Sequence, residues 1–346
     1  MKVCLYFANH NLIKKSGIGK ALEHQIMACQ LMGYDYCLDY HEEYDILHVN
    51  TYCLSSSKAI KDAKKRGKKV IFHAHSSGQD FKNSFKCSNL IAPIFKKWII
   101  HQYSKADFIL TPTEYSKSLL ESEGLTKPII AISNGIDLKN YEYDSTKVNY
   151  FNQYFKLCDK KLVISVGLLF ERKGLIDFIE VAKINPNYQF IWFGDLNPKL
   201  MSDKIKKALE SKPENLLFPG YISGDLLKGA YLAADVFMFP SYEETEGIVV
   251  LEALAAKCNI LVRNIGAYDG WLVDQGNCYM ANSITEFDKK LNAILTGELS
   301  SLKEEAYKTA QSRSINNVSR KLKMIYDIVY QDNKQIIAGK KISYYQ

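Results

Sequence analysis

PSYEETEGIVVLEALAAK, residues 240–257, poses the question on which the fold turns. Glu243, Glu244 and Glu246 crowd the start of an apolar helix, and a fourth acid, Glu252, sits inside it among Ile248, Val249, Val250, Leu251, Ala253 and Leu254. A carboxylate taken out of water is costly unless something pairs with it. Working outward, VFMFPS (236–241) precedes this helix and NILVRN (259–264) follows it, both apolar runs that end in polar residues. LVISVG (162–167), QFIWFG (189–194) and LLFPGY (216–221) belong to the same series. An earlier series comprises VCLYF (3–7), DILHVN (45–50), VIFHAH (70–75), FILTPT (108–113) and IIAISN (129–134), with helical patterns such as 17–32 and 115–123 between them. Near-continuous apolar strands alternating with helices predict parallel sheets covered on both faces. The polar stretch 140–160 divides the two series and reads as the hinge. The expectation is an α/β protein of two Rossmann-like, doubly wound domains facing a cleft. The first spans 1–145, rejoined by a C-terminal helix over 325–346, and the second spans 146–324. Strand carboxyl ends, and with them any ligand, then meet at the cleft.

The totals agree with this plan. The chain has 346 residues, which suits two domains, and it is 47% hydrophobic and 24% charged, without low-complexity segments or solenoid repeats. No apolar run is long enough to span a bilayer. MKVCLYFANH lacks a small-residue cleavage site and reads as a buried strand, not a signal peptide. The eight cysteines are scattered, without C-x-x-C or metal spacing, and predict a reduced cytoplasmic protein.

Three motifs carry chemistry. In VGLLFERKGLIDFIEVAK (166–183), Arg172 and Lys173 lie in a turn and Gly174 opens a helix. Cations beside a helix N-terminus suit a phosphate; the alternative is a pair of solvated turn residues. Glu244 and Glu252 are eight apart, with Gly247 at the helix entry. A carboxylate can accept both hydroxyls of a vicinal diol, as in ribose. The alternatives are a helix-dipole acid for Glu244 and a solvent-facing helix former for Glu252. His73 and His75 flank Ala74 at a strand end and are expected on opposite faces, with His75 functional and His73 in packing. GIGKAL (17–22) hints at a dinucleotide loop, but Leu22 stands where the third glycine belongs and Asn9–Ser16 separates the loop from its strand.

The spacing of Glu244 and Glu252 resembles the E-x7-E motif of retaining glycosyltransferases of family four, which have the GT-B fold. AYLAADVFMFPSYEETEGIVVLEALAAK (230–257) is similar to that family's donor segment, VGLLFERKG (166–174) to its phosphate turn and ISNGID (132–137) to its hinge signature. FHAHSS (72–77) places His75 where the family keeps a histidine facing the donor sugar, and KSGIGKALEHQ (15–25) resembles its glycine loop over the diphosphate. The resemblance implies that Glu244 contacts hexose hydroxyls and Glu252 the ribose. Arg172 and Lys173 would meet the diphosphate. Gly17, Gly19, Thr245, Glu246, Gly247, Ile248 and Tyr221 would complete the donor site. Leu168 stands where the family has arginine, so Arg172 is expected to supply that charge. Thr245-Glu246-Gly247 replaces the usual G-F-G, a variant similar to bacterial diacylglycerol glycosyltransferases. The implied activity is retaining transfer of glucose or galactose from a UDP-hexose to monoglucosyl-diacylglycerol. The leaving diphosphate would take the acceptor's proton, without cofactor, and the absence of any D-x-D fits a reaction without a metal. The rivals are a family-four enzyme of capsule or other polysaccharide assembly, and a non-catalytic protein binding nucleotide-sugar or nucleic acid.

Charge is uneven. The chain carries +7, yet residues 58–105 hold twelve basic residues against Asp62 and Asp80. In SNLIAPIFKKWIIHQYSKAD (88–107), Phe95, Trp98, Ile99 and Tyr103 share a helical stripe, and Pro93 suits a helix start. Lys64, Lys65, Phe95, Lys96, Lys97 and Trp98 are the candidates for docking on an anionic membrane surface, on the inner face of the cell membrane. The alternative is a stripe packed on its own sheet. No recognition motif for nucleic acid accompanies the patch, and none is expected as partner.

Overall fold

The apolar runs become strands because both of their faces are covered; Val236, Phe237, Met238 and Phe239 are all fully buried. A computed structural model of the chain describes residues 1–8, 17–157 and 160–331. The first sheet contains β1 (Lys2–Tyr6), β2 (Asp35–Cys37), β3 (Ile46–Val49), β4 (Lys69–His73), β5 (Phe108–Thr111) and β6 (Ile129–Ala131), in the order β2-β1-β3-β4-β5-β6. The second contains β7 (Leu162–Val166), β8 (Gln189–Phe193), β9 (Leu216–Gly220), β10 (Val236–Phe239), β11 (Asn259–Arg263) and β12 (Tyr279–Ala281), in the order β12-β11-β10-β7-β8-β9. Every neighbouring pair is parallel. The strand order reverses between β1 and β3 in one sheet and between β7 and β10 in the other, and crevices at such reversals are where doubly wound sheets hold ligands. Two edge strands, β2 and β12, were not among the runs read as strands; each spans only three residues.

Residues 145–155 are not an open linker. Asp144 accepts hydrogen bonds from the N–H groups of Thr146 and Lys147 and starts the helix Ser145–Phe155. This helix packs on the helix Gly224–Ala233 so closely that a Cβ on Gly229 would stand 2.4 Å from the Lys147 carbonyl oxygen. It belongs to the second domain, and the crossing lies earlier. Ile136 pairs with Ser314, so the outgoing and returning strands of the chain run side by side. The returning strand enters the helix Ile315–Tyr330, ten residues ahead of the expected start. Ile315, Val318, Leu322, Ile325 and Tyr326 share a core with Val3, Leu5 and Leu22 of the first domain. Residues 332–346 lie outside the described residues. Among the described residues no helix is long and apolar enough to cross a membrane.

Candidate active site

The turn after β7 and the loop after β10 meet at the reversal point of the second sheet. Gly174 makes the turn possible, with φ 74° and a site where a Cβ would lie 2.1 Å from the Pro240 carbonyl oxygen. That close approach brings Lys173 onto Glu244, Nζ to Oε1 at 2.5 Å, with Ser241 Oγ donating to the same oxygen at 2.7 Å. Glu244 is buried and the Lys173 side chain nearly so, at 14% exposure, and Lys173 also lies over the Phe239 ring. Burial pulls the Lys173 ammonium below its usual pKa, opposed by the Glu244 charge. Burial would push Glu244 up, but Lys173 and Arg172 outweigh it and hold the carboxylate below its ordinary value. The result is an ion pair sealed in the cleft.

Arg172 reaches across to the first domain. Its Nε donates to Ser84 Oγ at 2.8 Å, its Nη1 to the Glu243 carbonyl at 3.0 Å, and its backbone N–H to Asn83 O at 3.0 Å. Leu168, at the arginine position of the resemblance, is 40% exposed and places no charge there. Asp80, which the sequence reading passed over, faces this cluster from the first domain. Burial raises its carboxyl pKa, and the Arg172 charge opposes this. Its one visible signal was its being one of only two acids in a basic segment.

The other acids of the loop are occupied differently. Glu243 accepts from Tyr115 Oη at 2.9 and 3.1 Å, and burial lifts its pKa to about 7. The Thr245 carbonyl accepts from Thr113 Oγ1 and Ser116 Oγ, and its hydroxyl donates to the His75 carbonyl at 3.4 Å. Glu246 is fully buried, and its carboxylate takes the Asn134 backbone N–H at 2.9 Å, the Asn134 side-chain amide at 2.8 Å and Arg313 Nη1 at 2.9 Å. Asn134 and Arg313 flank the two chain crossings, so Glu246 clasps the hinge, and these contacts occupy both of its carboxylate oxygens. Gly247, at φ 85°, caps the helix Ile248–Ala255, whose first N–H groups open toward the loop.

Glu252 is buried one turn inside that helix, because Val250, Leu251, Ala253 and Leu254 enclose it in the second-domain core. Tyr141 Oη donates to its Oε1 at 2.7 Å and Tyr231 Oη to its Oε2 at 2.8 Å. Burial still raises the carboxyl pKa, and the two phenols oppose it. With 23 tyrosines in the chain, nothing in the sequence singled out these two.

On the first-domain side, His75 Nε2 donates to Asn50 Oδ1 at 2.8 Å, and Gln25 Nε2 donates to the same oxygen at 2.7 Å. The His75 and His73 rings stack at 4.2 Å, which corrects the expectation of opposite faces: residues two apart on an extended chain return to the same face. His73 stacks in turn on His48 at 5.5 Å. Burial lowers the His75 pKa to about 3, so the ring is neutral at physiological pH. Gly17 and Gly19 open the helix Gly17–Met32, with Gly19 buried, while residues 9–16 of the glycine loop lie outside the described residues. Tyr221 follows β9 and is 44% exposed, at the carboxyl edge of the sheet.

The basic helix runs from Ser88 to Tyr103, with Pro93 inside it and not at its start. Phe95 stacks on Phe81 at 3.9 Å and meets Tyr52 edge-on, and Trp98 donates its indole N–H to the Tyr52 carbonyl at 3.1 Å. Both rings therefore face their own domain. Leu90 (80% exposed), Ile91 and Ile94 (71%) face outward instead, together with Lys96 and Lys97. Lys64 is exposed and pairs with Asp107 at 3.7 Å, and Lys65 is exposed.

Comparison with known proteins fits this geometry. Residues 34–140 match the model of Glycosyltransferase Family 4 and residues 147–313 that of Glycosyl transferases group 1. The chain is 45% identical over 331 residues to the processive diacylglycerol alpha-glucosyltransferase of Acholeplasma laidlawii, covering 95% of this chain and 98% of that one. It is 28% identical to the alpha-galactosylglucosyldiacylglycerol synthase of Streptococcus pneumoniae, over 76% of this chain and 72% of that one. Among solved structures, HepE of Anabaena in complex with UDP and glucose superposes with a TM-score of 0.73 at 15% identity, over 94% of this chain and 99% of that one.

Proposed function

This chain belongs to the GT-B glycosyltransferases of family four that make diacylglycerol glycolipids, and we propose that it moves a hexose, glucose or galactose, from a UDP-sugar to monoglucosyl-diacylglycerol with retention of configuration. The observation that carries this reading is the sealed Lys173–Glu244 pair at the sheet reversal, beside the open N-terminus of the helix Ile248–Ala255. The diphosphate meets Lys173, Arg172 and the helix N–H groups, whose fixed positive ends stabilise the charge that grows as the sugar bond breaks. Once phosphate oxygens draw on Lys173, the Glu244 carboxylate can take hexose hydroxyls. Glu252 holds the ribose, and neutral His75 offers a hydrogen-bonding edge to the sugar. The acceptor hydroxyl attacks from the face the diphosphate leaves, and the diphosphate takes its proton. With two cations and a helix end at the phosphates, the transfer requires no metal.

The acceptor's acyl chains stay in the bilayer, so the cleft must reach a membrane surface on the cytoplasmic side. Leu90, Ile94 and Lys97 lie at i, i+4 and i+7, one face of the helix, with Ile91 and Lys96 beside it. We assign docking to that face, in place of Phe95 and Trp98, with anionic lipid as the surface it meets. The test is a screen of UDP-glucose and UDP-galactose against diacylglycerol and glucosyl-diacylglycerol, with the anomeric configuration of the product read by NMR. A single donor giving an α-linked diglycosyl lipid is expected. Turnover only with a soluble or polyprenyl-linked acceptor would refute the lipid assignment, and a β-linked product would refute retention.

A further inference from the structure

Glu252 sits where a single carboxylate must do two things: survive burial, and present oxygens to a ligand. Its surroundings divide these tasks. Tyr141 arrives from the short helix Leu138–Tyr141 just after the hinge, and Tyr231 from the helix Gly224–Ala233. The two rings meet edge to face at 5.9 Å, and both are buried in the second-domain core. Each phenol donates to a different carboxylate oxygen, at 2.7 and 2.8 Å. A carboxylate has about four acceptor directions, so one phenol per oxygen leaves one direction free on each.

We propose that Tyr141 and Tyr231 are positioning residues for the nucleotide, aiming the two oxygens of Glu252 at the vicinal 2′ and 3′ hydroxyls of the donor's ribose. This rests on the reading of Glu252 as the ribose carboxylate. Two phenols set at fixed angles turn a side chain with free terminal rotation into a fork matched to a diol. They also decide its charge. Burial drives the carboxyl pKa up, and the phenols, which can both donate only to the ionised form, draw it back. The other groups that act on the site are Lys20, which favours the ionised form, and Glu23, which opposes it, both on the helix Gly17–Met32. Asp137 acts on Tyr141, and the Cys258 thiol on Tyr231. Without one phenol the carboxyl titrates higher still, so acidification protonates it and the diol loses its acceptor. Because Tyr141 follows directly on the chain crossing, the fork is built in part by the hinge itself.

The experiment compares UDP with 2′-deoxy-UDP in binding to the full chain, with Tyr141→Phe, Tyr231→Phe and Glu252→Gln beside the parent. Phenylalanine keeps each ring and its packing, and thermal melting checks that the variants fold. The parent should prefer UDP, and each Phe variant should bind UDP about tenfold more weakly. The preference over 2′-deoxy-UDP should shrink toward unity in each. The loss in the Phe variants should deepen as pH falls and recover as it rises, and in turnover the donor KM should rise while kcat at saturating donor holds. If Glu252→Gln abolishes the preference but both Phe variants keep it at every pH, the positioning role is overturned while the ribose reading stands. If Glu252→Gln leaves the preference intact, the ribose reading itself fails and the proposal with it.

Discussion

The loop and helix over 240–257 and the helix Ser88–Tyr103 are both crowded with charge, and the molecule treats them in opposite ways. In the first, every acid is engaged from far along the chain: Glu243 by Tyr115, Glu244 by Lys173, Glu246 by Asn134 and Arg313, and Glu252 by Tyr141 and Tyr231. In the second, among the described residues, Lys96 and Lys97 make no ion pair and point to solvent, beside aliphatic side chains that do the same. A buried charge is defined by its partners, so its effects on removal are large and specific. A surface charge is defined by what it leaves open, so its effects are small, additive and sensitive to salt. Substitutions in the two regions should differ in kind as well as in size.

The largest effect belongs to Lys173. Among the described residues it is the ammonium paired with Glu244, and losing a preorganised cation at a developing negative charge costs on the order of 10² to 10³ in turnover. Lys173→Ala should show this in kcat at saturating donor. Arg172→Ala should lose less, since Arg172 is shared with Ser84 and the Glu243 carbonyl. An Arg172→Ala enzyme with the parent's rate would show that the charge missing at Leu168 is supplied elsewhere.

Glu246 comes next and separates two meanings of a buried acid. As a hinge clasp, its loss leaves Arg313 and the Asn134 N–H groups without their acceptor. Glu246→Ala should then destabilise by about 3 kcal/mol in urea unfolding. Its kcat should change little once the protein is folded. The reverse pattern, full stability with turnover lost, would return Glu246 to the donor.

Glu243 gives a pH signature. Its folded pKa of about 7 lies above the ordinary glutamate value of 4.5, so the folded state holds its proton more tightly than the unfolded chain. The stability it contributes is complete below about pH 4.5 and is lost as pH rises toward 7. After a discount for its partly open position, the span is roughly 1 to 2 kcal/mol. Glu243→Gln should flatten the stability profile between these pH values. An unchanged slope would mean that the Tyr115 contact holds an ordinary carboxylate.

The same contrast explains what the sequence could show. Strands such as β10 were legible because burial on both faces leaves an unbroken apolar run. The Glu244/Glu252 spacing was legible because one helix sets it. The partners were not, since Tyr141 and Tyr231 reach Glu252 from 111 and 21 residues away, and no local pattern encodes that meeting. The helix Ser145–Phe155 was hidden in a polar stretch because it buries only Phe151. Periodicity on the basic helix did find a face, but the face it found is the one that packs. Phe95, Ile99 and Tyr103 recur because the core requires them, whereas the outward Leu90 and Ile91 precede Pro93, where the helix was expected to begin.

That last point yields the smallest effects and the sharpest separation within one helix. Trp98→Ala removes a half-buried ring whose indole N–H is donated to the Tyr52 carbonyl and over which the Lys105 ammonium lies, and should destabilise the fold by about 2 to 3 kcal/mol, toward the low end for truncated aromatics. Leu90→Ser and Ile94→Ser lose no packing and should stay within about 0.5 kcal/mol of the parent in stability. Those two should nevertheless lower sedimentation with vesicles containing anionic phospholipid, and Lys96→Ser and Lys97→Ser should each weaken it about fivefold, near 1 kcal/mol per charge. High salt should erase the lysine effects and spare the aliphatic ones, because screening acts on charge and leaves apolar insertion alone. UDP affinity should be unchanged in all four, since these side chains lie outside the donor cleft. If the four variants together still bind anionic vesicles like the parent, the outward face of this helix is not the docking surface, and its contrast with 240–257 reduces to one between a built site and ordinary solvated surface.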